Sequence, residues 1–131
     1  MAKDKFFNYL FFVIAFMETL NEWIDGLKES KKAIIVEGPN DKKALEAFGI
    51  RRIFTLSKRS LIEVSEDVSS KYDEVIILTD LDKKGKELYG KLSKDLNKLG
   101  VKIDHKFREW LFKNTDLRQI EGLEHYFKAH P

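Results

Sequence analysis

Two short apolar runs, each ending on carboxylates and followed by glycine, constrain the fold of this chain most. They are IIVEGPND at residues 34–41 and VIILTDLDKKG at residues 75–85. Each run is rich in β-branched residues, as buried strands are, and each passes directly into a helical pattern. Strands that alternate with helices favour a parallel sheet, in which the carboxyl ends of the strands share one edge. We therefore expect Glu37, Asp80 and Asp82 to converge at that edge.

The rest of the chain repeats this alternation of strand and helix. The predicted strands are residues 33–36, 52–56, 74–79 and 101–104. The predicted helices are residues 40–48, 60–68, 84–99, and 108–130 with a break near 114–116. Ser60 with Glu63 is a capping box, and Gly100 suits a helix end. The pattern predicts an α/β, Rossmann-like fold with a mainly parallel sheet of about four strands and helices on both faces.

The N-terminal region carries a different signal, an apolar stripe with heptad spacing. Its members are Phe6, Leu10, Val13, Met17, Leu20, Ile24 and Leu27. This spacing predicts an apolar N-terminal helix over residues 1–30, ahead of an α/β domain at 31–131. The helix would dock on the domain, pair with a second copy in a homodimer, or bind a protein partner or a membrane surface; the alternative is a start-site extension that has no role. Its apolar run is shorter than the ~20 residues of a bilayer span, so we predict no transmembrane segment.

The composition fits one ordinary domain and excludes several kinds of site. The chain has 131 residues, 43% of them hydrophobic, which is enough for a core. It has no cysteine, which excludes disulfides and thiolate metal sites, and we predict a cytoplasmic protein. The formal net charge is only +2, so contact with nucleic acid must depend on a local basic patch rather than on overall charge.

Carboxylates gathered at two strand ends are typical of a divalent cation site. Mg²⁺ prefers hard oxygen ligands and keeps several waters for exchange with phosphates. Gly38 and Gly85 would let the backbone of the chain approach a metal or a phosphate closely. The alternative is that these acids only cap the helices that follow them. Glu121 and Glu124, three residues apart, are either ligands for a second cation or part of a solvated helix end.

Basic residues are expected around the acidic edge. They are Lys58, Arg59, Lys83, Lys84, Lys86, Lys106 and Arg108. The lysines at 83–86 begin a predicted helix, where positive charge opposes the helix dipole, so helix stability does not explain them. Each run alone is also typical of a solvated face. Together, around a metal site, they suit a bound phosphate backbone.

The two acidic runs resemble the motifs of the Toprim domain. The Glu-Gly pair at 37–38 is similar to its first element, and Asp-Leu-Asp at 80–82 with Gly85 is similar to its second. The resemblance covers roughly residues 31–127. It is strongest to small stand-alone archaeal and bacterial proteins, which are related to the 5S ribosomal RNA maturation ribonuclease and to bacterial primases. Residues 119–124 resemble a late acidic element of that subgroup.

The resemblance implies Mg²⁺-dependent phosphodiester chemistry, with Mn²⁺ as an alternative cofactor. It implies that Glu37 is a general acid or base or a metal ligand, and that Asp80 and Asp82 hold the cation. By analogy with the ribonuclease, we expect a nuclease that processes RNA rather than DNA. The alternative is a non-catalytic subunit that binds RNA or DNA within a larger processing complex.

Four better-known enzyme and signalling classes fit the sequence less well. A topoisomerase needs a further domain with a nucleophilic tyrosine, and a bacterial primase needs a zinc region, whereas this chain is short and lacks cysteine. A receiver domain needs a fifth strand that ends in lysine. A phosphatase of the haloacid dehalogenase type carries its Asp-x-Asp motif after the first strand, which would leave Glu37 unexplained.

Overall fold

In a computed structural model, the chain forms a parallel sheet of four strands covered by helices on both faces. The structure describes Met17 and residues 19–130. The strands are β1 Ala33–Val36, β2 Ile53–Thr55, β3 Glu74–Ile77 and β4 Lys102–Asp104. Their order across the sheet is β2-β1-β3-β4, and every neighbouring pair is parallel. The predicted α/β fold class is confirmed.

The helices follow the strands in the predicted alternation. They are α1 Leu20–Glu29, α2 Pro39–Glu46, α3 Leu61–Lys71, α4 Lys83–Lys98, α5 Lys106–Asn114 and α6 Leu123–Ala129, with a 3₁₀ turn at Ile120–Gly122. The predicted cap is present, because the Ser60 hydroxyl accepts a hydrogen bond from the Glu63 N–H at 3.1 Å. Gly100 follows α4 with φ of +79°, the left-handed conformation that glycine adopts readily.

Side chains of the central strands alternate between two hydrophobic clusters. Ile34 and Ile76 face one side of the sheet, where α1, α2, α5 and α6 pack. Ile35 and Ile77 face the other side, against α3 and α4. Because both faces are covered, these strands are apolar at every position rather than alternately polar. Polar chemistry is therefore expected where the strands begin and where they end. We call the side of the sheet at which the strands begin the amino edge, and the side at which they end the carboxyl edge.

The described part of the N-terminal stripe packs against the sheet domain. Leu27 of the stripe and Trp23, both in α1, are fully buried in the same cluster as Phe107 of α5. The Trp23 indole N–H also donates a hydrogen bond to the Phe107 carbonyl at 2.8 Å. Residues 1–16 lie outside the described residues, so pairing with a second copy, partner binding and the boundary at residue 30 stay predictions. Within the described part of the chain, no helix is long and apolar enough to cross a membrane.

Candidate metal and nucleic-acid site

Two of the predicted site carboxylates meet at the carboxyl edge of the sheet. Strands β1 and β3 are neighbours, so the residues that follow them come out side by side. Glu37 comes directly after β1, and its Oε2 accepts a hydrogen bond from the Asp80 N–H at 2.7 Å. Both residues are half-buried. The parallel sheet thus brings together acids that are 43 positions apart in sequence.

The carboxylate of Asp80 lies in an environment that disfavours its charge. Burial, followed by repulsion from Glu37 and Asp82, raises the pKa of Asp80 to about 6. One opposing contact lowers this pKa, because Oδ1 of Asp80 accepts a hydrogen bond from the Ile120 N–H at 2.9 Å. Crowded carboxylates with a raised pKa are typical of a place where a cation binds or a proton is transferred.

Asp82 caps the helix that follows it, as the alternative interpretation of the strand-end acids expects. It is the N-cap residue of α4, and its Oδ1 accepts a hydrogen bond from the Gly85 N–H at 2.7 Å. The side chain is exposed at the edge. A carboxylate has two oxygens, so one can cap the helix while the other binds a ligand. Capping and metal binding are therefore compatible at Asp82.

The two predicted glycines differ in what the chain requires of them. A Cβ added at Gly85 would lie 2.0 Å from the Asp80 carbonyl oxygen, so only glycine fits there. The close approach at Gly85 is thus to the chain's own backbone, and the buried Thr79 hydroxyl reinforces it by donating to the Gly85 carbonyl at 2.8 Å. At Gly38 the nearest atom to a Cβ would be the Ser57 hydroxyl at 4.0 Å, which leaves space beside it.

A fourth acidic residue, Asp41, supports this edge and was not among the predicted site residues. It is buried in the first turn of α2, and its Oδ2 accepts a hydrogen bond from the Gly38 N–H at 2.9 Å. Burial raises the pKa of Asp41, and the charges of Asp80 and Glu121 raise it further. A carboxylate three residues after a helix N-cap is the pattern of a capping box, and this spacing could have revealed it.

The two late acids lie beside α2, in a second part of the edge. Glu121, in the 3₁₀ turn, is close enough to Asp41 to act on its pKa. Glu124 is exposed in α6 and forms an ion pair with Lys128 at 3.2 Å. Both line a pocket of about 440 Å³, together with residues of α2. A second cation held by this pair stays a prediction.

Three predicted basic residues lie at the start of α4, next to the acidic edge. Lys83, Lys84 and Lys86 are all exposed in its first turn. Lys86 and Asp82 line a pocket of about 530 Å³, which residues 116–119 also line. Cationic groups, a carboxylate and an open concavity thus adjoin one another.

Three of the four other predicted basic residues have contacts within the protein. Lys58 is exposed after β2, while Arg59 forms an ion pair with Asp67 at 3.3 Å. The Lys106 N–H donates to Asp104 at 3.0 Å. The half-buried guanidinium of Arg108 donates to two backbone carbonyls, at 3.0 and 2.8 Å. Binding of nucleic acid by any of them stays a prediction.

The donor set at this edge fits a hard cation that keeps part of its water shell. Within Met17 and residues 19–130, no three acidic or histidine side chains are grouped so that they could hold a metal ion, so there is no cage of three protein ligands. Mg²⁺ does not need one, because it commonly takes one or two carboxylates and completes its shell with water and phosphate. That Asp80 and Asp82 hold such a cation, with Glu37 beside them, stays a prediction.

Comparisons with known proteins give a consistent result. Residues 32–110 match the sequence profile of the Toprim domain. A UPF0292 protein of Pyrococcus abyssi is 44% identical over 108 residues, which are 82% of this chain and 80% of that protein. A UPF0292 protein of Methanocaldococcus jannaschii is 30% identical over 130 residues, 96% of this chain and 95% of that protein. A solved structure of an Aquifex aeolicus protein superposes with a TM-score of 0.75 at 37% identity, covering 79% of this chain and 97% of that one.

Proposed function

The chain belongs to the Toprim domain family, and from this premise we propose that it cleaves phosphodiester bonds in RNA with the help of Mg²⁺. Family membership implies a function that involves a divalent metal ion and nucleic acid. The observation that carries the proposal is the contact of Glu37 with the Asp80 N–H at 2.7 Å, beside a carboxylate whose pKa is raised to about 6 by burial and by the neighbouring acids.

We assign the cation to Asp80 and Asp82, with Mn²⁺ as a substitute for Mg²⁺. Once bound, the cation would stabilise the charge that develops on the phosphate during cleavage. Glu37 would orient the attacking water and take its proton, because Oε2 is fixed by the Asp80 N–H and the carboxylate still has a second oxygen. Glu121 and Glu124 would serve a second cation beside α2.

The substrate would lie across the start of α4. Lys83, Lys84 and Lys86 supply positive charge there. The pocket of about 530 Å³ beside Asp82 would hold the RNA strand where it continues beyond the site. Lys58, Arg59 and Lys106 would extend the contact along the edge. RNA is preferred over DNA by analogy with the related ribonuclease, and a cytoplasmic location is part of the same proposal.

A second candidate is a subunit that binds nucleic acid without cleaving it. It is favoured by the fact that, within Met17 and residues 19–130, no three acidic or histidine side chains are placed so that they could hold a metal ion together. The N-terminal stripe would then bind the catalytic partner.

A cleavage assay distinguishes the two candidates. Labelled structured RNA, single-stranded RNA and DNA would be incubated with Mg²⁺, Mn²⁺ or EDTA. We expect the wild type to cleave RNA with Mg²⁺ or Mn²⁺, and Glu37→Gln and Asp80→Asn to lower kcat by at least about 100-fold. Glu46→Gln, which makes the same change at an exposed position at the far end of α2, should leave the rate unchanged. A wild type that binds RNA but is inactive with every metal would favour the second candidate.

A further inference from the structure

The guanidinium of Arg108 is bonded to the turn that carries the candidate metal ligands. We propose that Arg108 is a positioning residue, which fixes the backbone of Asp80 so that its carboxylate is held ready for a divalent cation. This inference rests on the proposed metal site. It assigns Arg108 a role different from the predicted contact with nucleic acid.

Two parallel hydrogen bonds connect Arg108 to consecutive carbonyls. Its Nε donates to the Thr79 carbonyl at 3.0 Å, and its Nη2 donates to the Asp80 carbonyl at 2.8 Å. The donors of a guanidinium lie in one rigid plane, so two bonds from it fix the relative orientation of two peptide groups. A lysine ammonium cannot reproduce this, because it is a point charge on a flexible stem.

The backbone N–H, the backbone carbonyl and one carboxylate oxygen of Asp80 each have a partner. Its N–H donates to Glu37, its carbonyl accepts from Arg108, and its Oδ1 accepts from the Ile120 N–H at 2.9 Å. The next residue is held too, since the Leu81 N–H donates to the Arg118 carbonyl at 2.9 Å. Of these contacts, only that of Arg108 comes from a side chain that carries positive charge, and that charge also acts favourably on Glu37 and Asp80.

Two aromatic rings hold the guanidinium in place. It lies 4.6 Å from the centroid of Tyr89 in α4 and 5.3 Å from the centroid of Phe112 in α5. Stacking of this kind restricts a long side chain that would otherwise sample many rotamers. Arg108 thus connects two helices to the turn that contains the candidate metal ligands. An arginine on the surface of a protein normally has fewer such contacts.

The chain contains a matched control at the opposite edge of the sheet. Arg52, also half-buried, donates from Nε to the Lys32 carbonyl at 2.8 Å and from Nη2 to the Leu27 carbonyl at 3.1 Å. Its contacts are of the same kind, but they lie beyond the amino ends of β1 and β2. Replacing either arginine should therefore destabilise the fold, and only one replacement should affect the metal site.

The experiment compares Arg108→Lys with Arg52→Lys in the full chain. Mn²⁺ affinity would be measured by calorimetry or electron paramagnetic resonance, and stability by urea unfolding. We expect both variants to unfold at lower urea, and Arg108→Lys alone to weaken Mn²⁺ binding by about 10-fold or more, the usual effect of losing a residue that orients a ligand.

The outcomes separate this inference from the proposed function. If the wild type binds Mn²⁺, Asp80→Asn does not, and Arg108→Lys binds as tightly as wild type, only the role of Arg108 is overturned. An equal loss of affinity in Arg52→Lys would overturn it as well, because general destabilisation would then explain the effect. A wild type that does not bind Mn²⁺ would overturn both proposals. If Arg108→Lys does not fold, Phe112→Leu removes one stacking ring and should weaken Mn²⁺ binding by a few-fold; unchanged affinity there would overturn the inference.

Discussion

At both the amino edge and the carboxyl edge of the sheet an arginine binds backbone carbonyls, but the charges around the two arginines differ. At the amino edge Arg52 binds backbone carbonyls, and Lys32 forms ion pairs with Glu74 at 3.2 Å and Asp104 at 2.9 Å. At the carboxyl edge Arg108 also binds backbone carbonyls, but acids there are grouped with acids and the pKa of Asp80 is raised to about 6. Acids form ion pairs with Lys32 at the amino edge, whereas at the carboxyl edge Glu37, Asp80 and Asp82 repel one another although cationic side chains lie nearby. Such imbalance is typical of functional sites rather than of structural ones.

The direction of the strands explains why the acids gather where they do. In this parallel sheet, helices α2 and α4 begin at the carboxyl edge, where their first N–H groups need acceptors. Asp41 and Asp82 supply these acceptors by binding the N–H groups of Gly38 and Gly85. The amino edge offers the carbonyls at the end of α1 instead, and the guanidinium of Arg52 binds the Leu27 carbonyl among them. Backbone polarity thus favours anions at one edge and cations at the other.

The largest expected change is in the free energy of unfolding, when a side chain is placed between α4 and the turn that contains Asp80. In Gly85→Ala the new Cβ would lie 2.0 Å from the Asp80 carbonyl oxygen, so the turn must move. We expect a loss of at least about 3 kcal/mol in the free energy of unfolding, measured by urea denaturation. Gly90→Ala is the control in the same helix, where a Cβ would meet nothing within 4 Å. It should stabilise the protein by about 0.5–1 kcal/mol, and equal effects at both glycines would contradict the close packing at Gly85.

A smaller change in the free energy of unfolding, with opposite sign at the two edges, is expected when one acid is neutralised. The pKa of Asp80 in the folded chain, about 6, lies above its ordinary value of 3.8. The unfolded chain therefore releases this proton first as pH rises, and stability falls between about pH 4 and pH 6. Without metal at pH 7.5, Asp80→Asn should be more stable than wild type by roughly 1–3 kcal/mol, and the gain should vanish near pH 4.

The matched change is Asp104→Asn, which removes the charge of one of the two acids that pair with Lys32 at the amino edge. We expect it to lower the free energy of unfolding at pH 7.5 by about 1–2 kcal/mol. Thermal unfolding with and without Mg²⁺ extends the test, because Mg²⁺ should stabilise the wild type and Asp104→Asn but not Asp80→Asn. If both asparagine variants changed stability in the same direction, the contrast between the edges would be wrong.

The smallest expected change is in RNA affinity, when a single lysine at one or the other end of α4 is replaced. Lys86 lies in its first turn beside Asp82, and Lys98 lies in its last turn, at the amino edge. In titrations of RNA at several salt concentrations, Lys86→Gln should weaken binding a few-fold and reduce the salt slope by about 1, because one phosphate contact is lost. Lys98→Gln should leave both unchanged. Equal weakening by the two variants would indicate binding along the whole helix rather than at the carboxyl edge.

Local features of the sequence predicted much of the fold. Strand β1 has the predicted bounds, the Ser60 cap is present, and the resemblance to the Toprim domain, drawn from two motifs, is confirmed. Strand β3 ends at Ile77, two residues before the predicted end, because its register with β1 runs only from Ala33–Val75 to Ile35–Ile77. The length of a strand depends on its neighbours as well as on its own residues. This explains why bounds were less predictable than the presence of each element.

The sequence by itself determined the alternation of strands and helices, and hence that Glu37, Asp80 and Asp82 follow strand ends at one edge. The spacing of apolar residues and the residues that form turns are local features, so they can be recognised within a short stretch of sequence. Only the tertiary structure decided how those acids are held. Asp80 depends on Arg108 and on the Ile120 N–H, which come from 28 and 40 residues away. Contacts across that distance follow from helix packing and strand order, which no local pattern encodes.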